Sequence, residues 1–269
     1  MHKKHTPQRP DGFAKYRARH YRGARNSLLL LPPVKRRALR RNLIFIGLTL
    51  GLILLVALVS KAHAAGGAYV VDDGAINAPG ACNVDAWYSA NRHDGSTHSE
   101  TLSPACTFAA MPSVQWGTAL SRADHETQVS PQLKAQVLSR QDLGVEIAVS
   151  AGAHLALDRQ HGFDGADLNV PFTWQALEAL RLNLNAGWTH AYNDGDQQHR
   201  LTWGSGLEYE LAHALTLIAE RYGQVGGDQA WQAGPRLHLG EFVDIDLILG
   251  RSLTGARDQW LTTGATLRF

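Results

Sequence analysis

From residue 82 onward, apolar and polar residues alternate with a period of two, in segments broken by turn residues. In one segment Leu180, Leu182, Leu184, Ala186 and Trp188 oppose Arg181, Asn183, Asn185, Gly187 and Thr189. In another, Val243, Ile245, Leu247 and Leu249 oppose Asp244, Asp246, Ile248 and Gly250. The last segment puts Leu261, Thr263, Ala265, Leu267 and Phe269 on one face and Thr262, Gly264, Thr266 and Arg268 on the other. Such alternation marks strands whose two faces meet different surroundings. No helix-period segment of useful length follows residue 64. Reading back from Phe269 predicts strands at 259–269, 243–252, 231–239, 215–223, 199–210, 180–191, 167–175, 143–157, 132–139, 113–122, 103–109 and 82–91. That is about twelve, an even number, as single-chain bacterial barrels require. The predicted fold is all-β: a transmembrane antiparallel up-and-down β-barrel of about 12 strands over residues 82–269.

The predicted connections alternate in length. Short turns fall near residues 111, 140, 177, 213 and 241, and longer Gly-, Asp- and His-rich loops at 92–102, 123–130, 158–166, 192–198, 224–230 and 253–258. Short turns on the periplasmic side and longer loops outside are the habit of outer-membrane barrels. This register puts both ends of the barrel chain in the periplasm.

Charge changes the picture at the N-terminus. Residues 1–64 hold 14 of the 26 Lys and Arg but only one acid, Asp11, leaving 12 basic against 23 acidic residues. A basic stretch, the apolar run 43–59 and Ala62-His63-Ala64 form the layout of a secretory signal peptide, with cleavage near Ala64. The expected organisation is a removed segment 1–64, a periplasmic N-terminal segment 65–81, and the barrel. An uncleaved run 43–59 would instead anchor a periplasmic β-domain to the inner membrane. The acidic mature chain, with Lys134 its one lysine, argues against nucleic acid as a partner. Cys82 and Cys106, an even pair in an exported chain, are expected to form a disulfide.

On the predicted strands the charges lie opposite the hydrocarbons, so they face the lumen. The candidates for contact with a solute or with one another are Glu146, Asp167, Arg181, Glu208, Glu210, Glu220, Arg236, Asp244 and Asp246, with Lys134, His154, Asn183 and Asn185 beside them. Their mixed signs suit either a wet, cation-leaning pore or a cross-linked lumen that conducts little. Inward glycines such as Gly204, Gly206, Gly250 and Gly264 imply space in the lumen or strong strand curvature. Enzyme chemistry is not expected. His190 and Ser205 lie on neighbouring strands but both read outward, and there is no G-x-S-x-G. No metal site and no cofactor is expected, since the histidines and acids have no ligand spacing.

Several segments carry a resemblance: Val70-Val71-Asp72-Asp73, Pro79-Gly80-Ala81-Cys82-Asn83-Val84, Ser103-Pro104-Ala105-Cys106, Thr202-Trp203-Gly204-Ser205-Gly206-Leu207-Glu208, Asp244-Ile245-Asp246, Gly250-Arg251 and the Phe269 end. The chain is similar to a family of uncharacterised proteobacterial outer-membrane barrels often labelled as transporters. The resemblance implies an outer-membrane barrel; the expected function is a narrow pore for small solutes. The alternative is a non-conducting structural or surface-interaction barrel whose loops do the work; less expected are a barrel hydrolase and an inner-membrane-anchored β-domain. The expected partners are outer-membrane lipid, an unidentified small solute, and the barrel assembly machinery, which would read the terminal strand and Phe269.

Overall fold

A computed structural model describes residues 67–269, apart from residues 94, 125, 159–161, 194–195 and 256. The leader and the cleavage expected near Ala64 lie outside the described residues. Twelve strands are present among those described. They are β1 (Cys82–His93), β2 (Gly95–Thr107), β3 (Val114–Ala123) and β4 (Glu126–Arg140). Then come β5 (Val145–Ala156), β6 (Phe163–Leu177), β7 (Leu180–Asn193) and β8 (Asp196–Ala212). The chain ends with β9 (Leu215–Gln224), β10 (Gln229–Leu239), β11 (Val243–Ser252) and β12 (Gln259–Arg268). Each pairs antiparallel with its sequence neighbours, and β12 returns to β1, so the barrel is closed and no strand is left as an edge. At the seam the Cys82 amide donates to the Phe269 carbonyl at 2.8 Å, and the Phe269 amide to the Cys82 carbonyl at 3.0 Å. The Cys82–Cys106 disulfide joins β1 and β2 at a directly paired position.

The two faces follow the alternation. Leu217, Leu237, Leu247, Leu249, Leu261 and Leu267 are exposed outside the barrel, while Asp85, Glu208, Glu220, Arg236, Asp244 and Asp246 are buried inside it. This inverts a water-soluble fold. A wall of leucines facing out is stable in hydrocarbon, whereas Arg or Lys at the bilayer midplane costs about 2–4 kcal/mol.

Four strand prolines leave their mark on the ladder. Pro104, Pro131, Pro171 and Pro235 each pair across one flank of their strand. On the other flank each falls in a gap, between Leu102 and Ala105, Val129 and Gln132, Asn169 and Phe172, and Ala233 and Arg236. A proline has no N–H to give, so the sheet opens on the flank that N–H would have bridged.

Two expectations need correction. The first concerns the loops. Segments 92–102, 123–130 and 192–198 are largely strand, and their connections shrink to residues 94, 124–125 and 194–195. At the opposite end, 108–113 is as long as 157–162 or 253–258. Length therefore does not sort the two ends. Where a hairpin projects beyond the apolar band, water meets both faces and alternation fades, while Ser, Thr and Gln still pair through the backbone.

The second concerns residues 67–81, expected as a periplasmic segment. They run inside the barrel. Gly67 lies against Thr266, Asp246 and Asp85 close to the end where Cys82 and Phe269 meet. The chain then arches up and across to β7 and β8 and descends past Thr173 and Gln115 to Cys82. We call this arch the strap.

Candidate functional site

The lumen has two storeys. The lower one, nearer the termini, is filled. Arg236 on β10 donates from Nε and Nη2 to the two carboxylate oxygens of Asp246 on β11, at 2.8 and 2.9 Å. Both side chains are only 1% exposed. One rung lower, Asp244 is held by His238 at 2.7 Å and by Arg268. Thr266 donates to Asp85, and His238 also bonds Thr216. Toward β6–β8, Thr173 donates to Asn183, which donates to Glu208, and Arg181 stands 3.9 Å from Glu208. Alternation and cross-strand register make these contacts, since Arg236 faces Asp246 and His238 faces Asp244 directly. Charges taken out of water this far must be paired and hydrogen-bonded to persist.

The strap is bound into this network through its backbone. Glu220 accepts from the amides of Val70 at 3.0 Å and Val71 at 3.2 Å, and Gln232 donates to the same carboxylate at 2.8 Å. Asn185 makes a two-way bond to Asp72, accepting from its amide at 2.8 Å and donating to its carbonyl at 2.7 Å. Thr173 accepts from Gly74, and Gln115 from Asn77. Lys134 on β4 reaches both Asp72, at 2.8 Å, and Asp73, at 3.2 Å. Apolar contacts complete the seat. Tyr69 packs on Ile218 and Ile248, two buried isoleucines of the inner face, and the Arg236 guanidinium lies 5.2 Å above its ring. Val71 is 1% exposed and rests on Gly204 and Gly206. A Cβ at Gly204 would come within 2.9 Å of Val71, so the missing side chains there are the strap's berth. At Gly74 a Cβ would sit 2.4 Å from the Glu146 carbonyl oxygen, so the strap touches the wall there as well. Asp73, in the strap and not in a strand, has its carboxyl pushed up to about 6 by burial, with Lys134 opposing.

Above the strap the lumen is open. A cavity of about 720 Å³ has Val70 and Val71 as its floor and is walled by Asn169, Asn185, Thr189, Thr202, Tyr222, Gln224, Gln229 and Trp260, with Asp167, Asp228 and Asp258. Asp167 is paired with His154 at 2.7 Å.

The structure thus divides the predicted residues. Arg236, Asp244, Asp246, Glu208, Arg181 and Glu220 belong to the filled storey or hold the strap. Glu146 meets the strap through its backbone and Cβ. Glu210 sits by the terminal rim, 3.1 Å from His213. Of the nine, Asp167 alone lines the open cavity. The strap itself was missed. Its traces were present as Ile218 and Ile248 on the polar face, the inward glycines, and an uncharged Val-Val in a segment expected to be in water. His190 and Ser205 are separated. His190 pairs with His199 and Ser205 with Leu184, six residues further along β7, or roughly 20 Å at strand rise. His190 instead stacks between Trp188 and His199 on the outer wall.

A closed, antiparallel, even-stranded barrel with leucines outside and paired charges inside is a transmembrane β-barrel of the bacterial outer-membrane type. The chain belongs to the family described as uncharacterised conserved protein UCP029691, whose model matches residues 53–269. No curated protein sequence matches it. Solved structures share the fold. The COG4313 outer membrane channel from Pseudomonas putida F1 matches with a TM-score of 0.58 at 9% identity, covering 77% of this chain and 100% of that one. The NanC porin matches at 0.56 and 8%, covering 68% and 98%. The KdgM porin matches at 0.55 and 11%, covering 69% and 99%. By their descriptions two are porins and one is an outer membrane channel, and at these identities the likeness is one of fold.

Proposed function

We propose that this protein is an outer-membrane channel for small solutes, closed at rest by its own N-terminal strap. One observation carries the reading: a cavity of about 720 Å³ opens at the end away from the termini, and its floor is a length of chain rather than barrel wall. A floor held mainly by wall side chains, without a strand ladder, can leave, whereas a wall strand cannot leave without opening the barrel. The fold shared with the KdgM and NanC porins and the COG4313 channel supports transport over catalysis, as does the separation of His190 from Ser205. On this reading the open cavity faces outside and the termini face the periplasm. The leader directs export and is cleaved near Ala64, and the assembly machinery inserts the barrel through its terminal strand and Phe269. Lys134 and Glu220 are the strap's anchors, and Asp167 is an acid that a solute meets on the cavity wall. No cofactor takes part.

The test is conductance of the purified protein in planar bilayers. The intact chain is expected to be closed or to open briefly, and Glu220→Ala with Lys134→Ala to give long openings while the unboiled protein still migrates as a folded barrel on a gel. The filled lower storey favours a second reading, a non-conducting structural barrel. A folded but silent double variant would establish that reading instead.

A further inference from the structure

We propose that the outer cavity is a binding site for a neutral, polyhydroxylated solute of the saccharide class; this rests on the channel reading for the role of the cavity as solute entrance. The argument begins with Trp260. It lies on the inner face of β12, and its indole covers Gly250 on β11, where a Cβ would fall 2.0 Å from Cε2. Its Nε1 donates to Gln232 at 3.3 Å, and Gln232 is itself buried. The ring is therefore laid flat against the wall by a glycine and pinned at its edge. Since Trp260 also lines the cavity, its other face is presented to whatever enters. A flat apolar ring beside polar wall groups matches the C–H face of a sugar ring, and Tyr222 on β9 adds a second aromatic wall.

The polar groups around it carry the same message. Asn169, Thr189 and Gln224 each carry both a donor and an acceptor, as sugar hydroxyls do, while Asn185 is committed to Asp72 and Asn169. Charge decides the subclass. The ionisable groups among the described lining residues are Asp167, Asp228, Asp258 and Tyr222, with neither Lys nor Arg among them. Carboxylate or phosphate on a solute would meet these acids, Asp167 already paired with His154, and would find neither Lys nor Arg among the described lining. The volume falls within the range of roughly 300–1,000 Å³ common for small-ligand cavities.

The test is isothermal titration of the refolded full barrel in detergent micelles with maltotriose and, separately, with trigalacturonate, its acidic counterpart of equal length. Maltotriose is expected to bind saturably and trigalacturonate at least about ten-fold more weakly. Trp260→Leu is expected to weaken maltotriose by about ten-fold with the folded gel band unchanged. Absence of saturable maltotriose binding, preference for the uronate, or unaltered binding by a folded Trp260→Leu would overturn the proposal. Bilayer conductance on the same preparations separates the two ideas. Binding without conductance in the strap-release variant removes the channel and leaves the site, and conductance without binding removes the site alone.

Discussion

Asp246 and Arg236 show how much a single buried side chain carries in this lumen. Each is 1% exposed and they share two hydrogen bonds. Asp246→Ala removes the bidentate partner and leaves the guanidinium in a site that water reaches poorly. Breaking a buried pair from one side costs about 3–5 kcal/mol, whereas replacing both partners by apolar residues of similar size is often close to neutral. Urea unfolding of the refolded barrel should therefore show a large loss for Asp246→Ala and a much smaller one for Arg236→Met with Asp246→Leu. Gly204 makes the opposite case, an absence of side chain that matters. With Val71 only 2.9 Å from where its Cβ would be, Gly204→Leu fills the berth. The expected result is a folded barrel with a displaced strap, read as increased protease cleavage within residues 67–77 and longer openings in bilayers. Both pairings were partly legible beforehand. Alternation put Arg236 and Asp246 on one face, but that they face each other across a rung follows from register. The glycines could be counted, though not what they accommodate.

Among the elements, the strap lacks the strands' period of two. Its backbone is satisfied by side chains of the wall, Glu220, Asn185, Thr173 and Gln115, instead of by a strand partner. The uncharged Val70-Val71 hints at burial, but the local pattern of residues 67–81 cannot name these partners, which lie 38 to 150 residues away. The strap also carries a pH dependence. The Asp73 carboxyl faces Lys134, Asp72, Arg181 and Glu208, and burial raises it from 3.8 to about 6. A carboxyl raised on docking favours the docked state at low pH, and that contribution is lost as pH rises through about 6. Hydrogen exchange at the strap amides, corrected for intrinsic rates, should thus show tighter docking at pH 5 than at pH 8. Asp73→Asn should flatten the difference. A steeper dependence in that variant would show that another group controls the strap. The hairpins give a complementary lesson. The β1–β2, β3–β4 and β7–β8 tips continue as strands past the point where alternation ends, so pattern alone placed loops where the backbone keeps pairing.

For the whole molecule, closure dominates. The β11–β12 and β12–β1 registers run without a break, unlike the four ladders opened by proline. Ala265 pairs with both Ala86 and Ile245. Ala265→Pro removes an N–H where no gap exists to absorb its loss, and it does so at the seam that closes the barrel. The fast-migrating unboiled gel band should be lost or strongly reduced, while Pro235→Ala should retain it. Equal behaviour of the two would mean that the seam is no more demanding than the rest of the wall.

Sequence by itself determined the strand class, the even count and the division between an apolar outer face and a charged inner one. These are local consequences of a period of two read against two solvents, and each residue declares its side without knowledge of its neighbours in space. The tertiary structure decided what the lumen contains. Whether inward acids make a wet pore or a packed storey depends on which cations lie across the rung. Whether the N-terminal segment hangs in the periplasm or lies in the barrel depends on partners far away in sequence. Those are questions of register and of what fits between opposite walls, and only the closed barrel brings the groups that answer them within reach of one another.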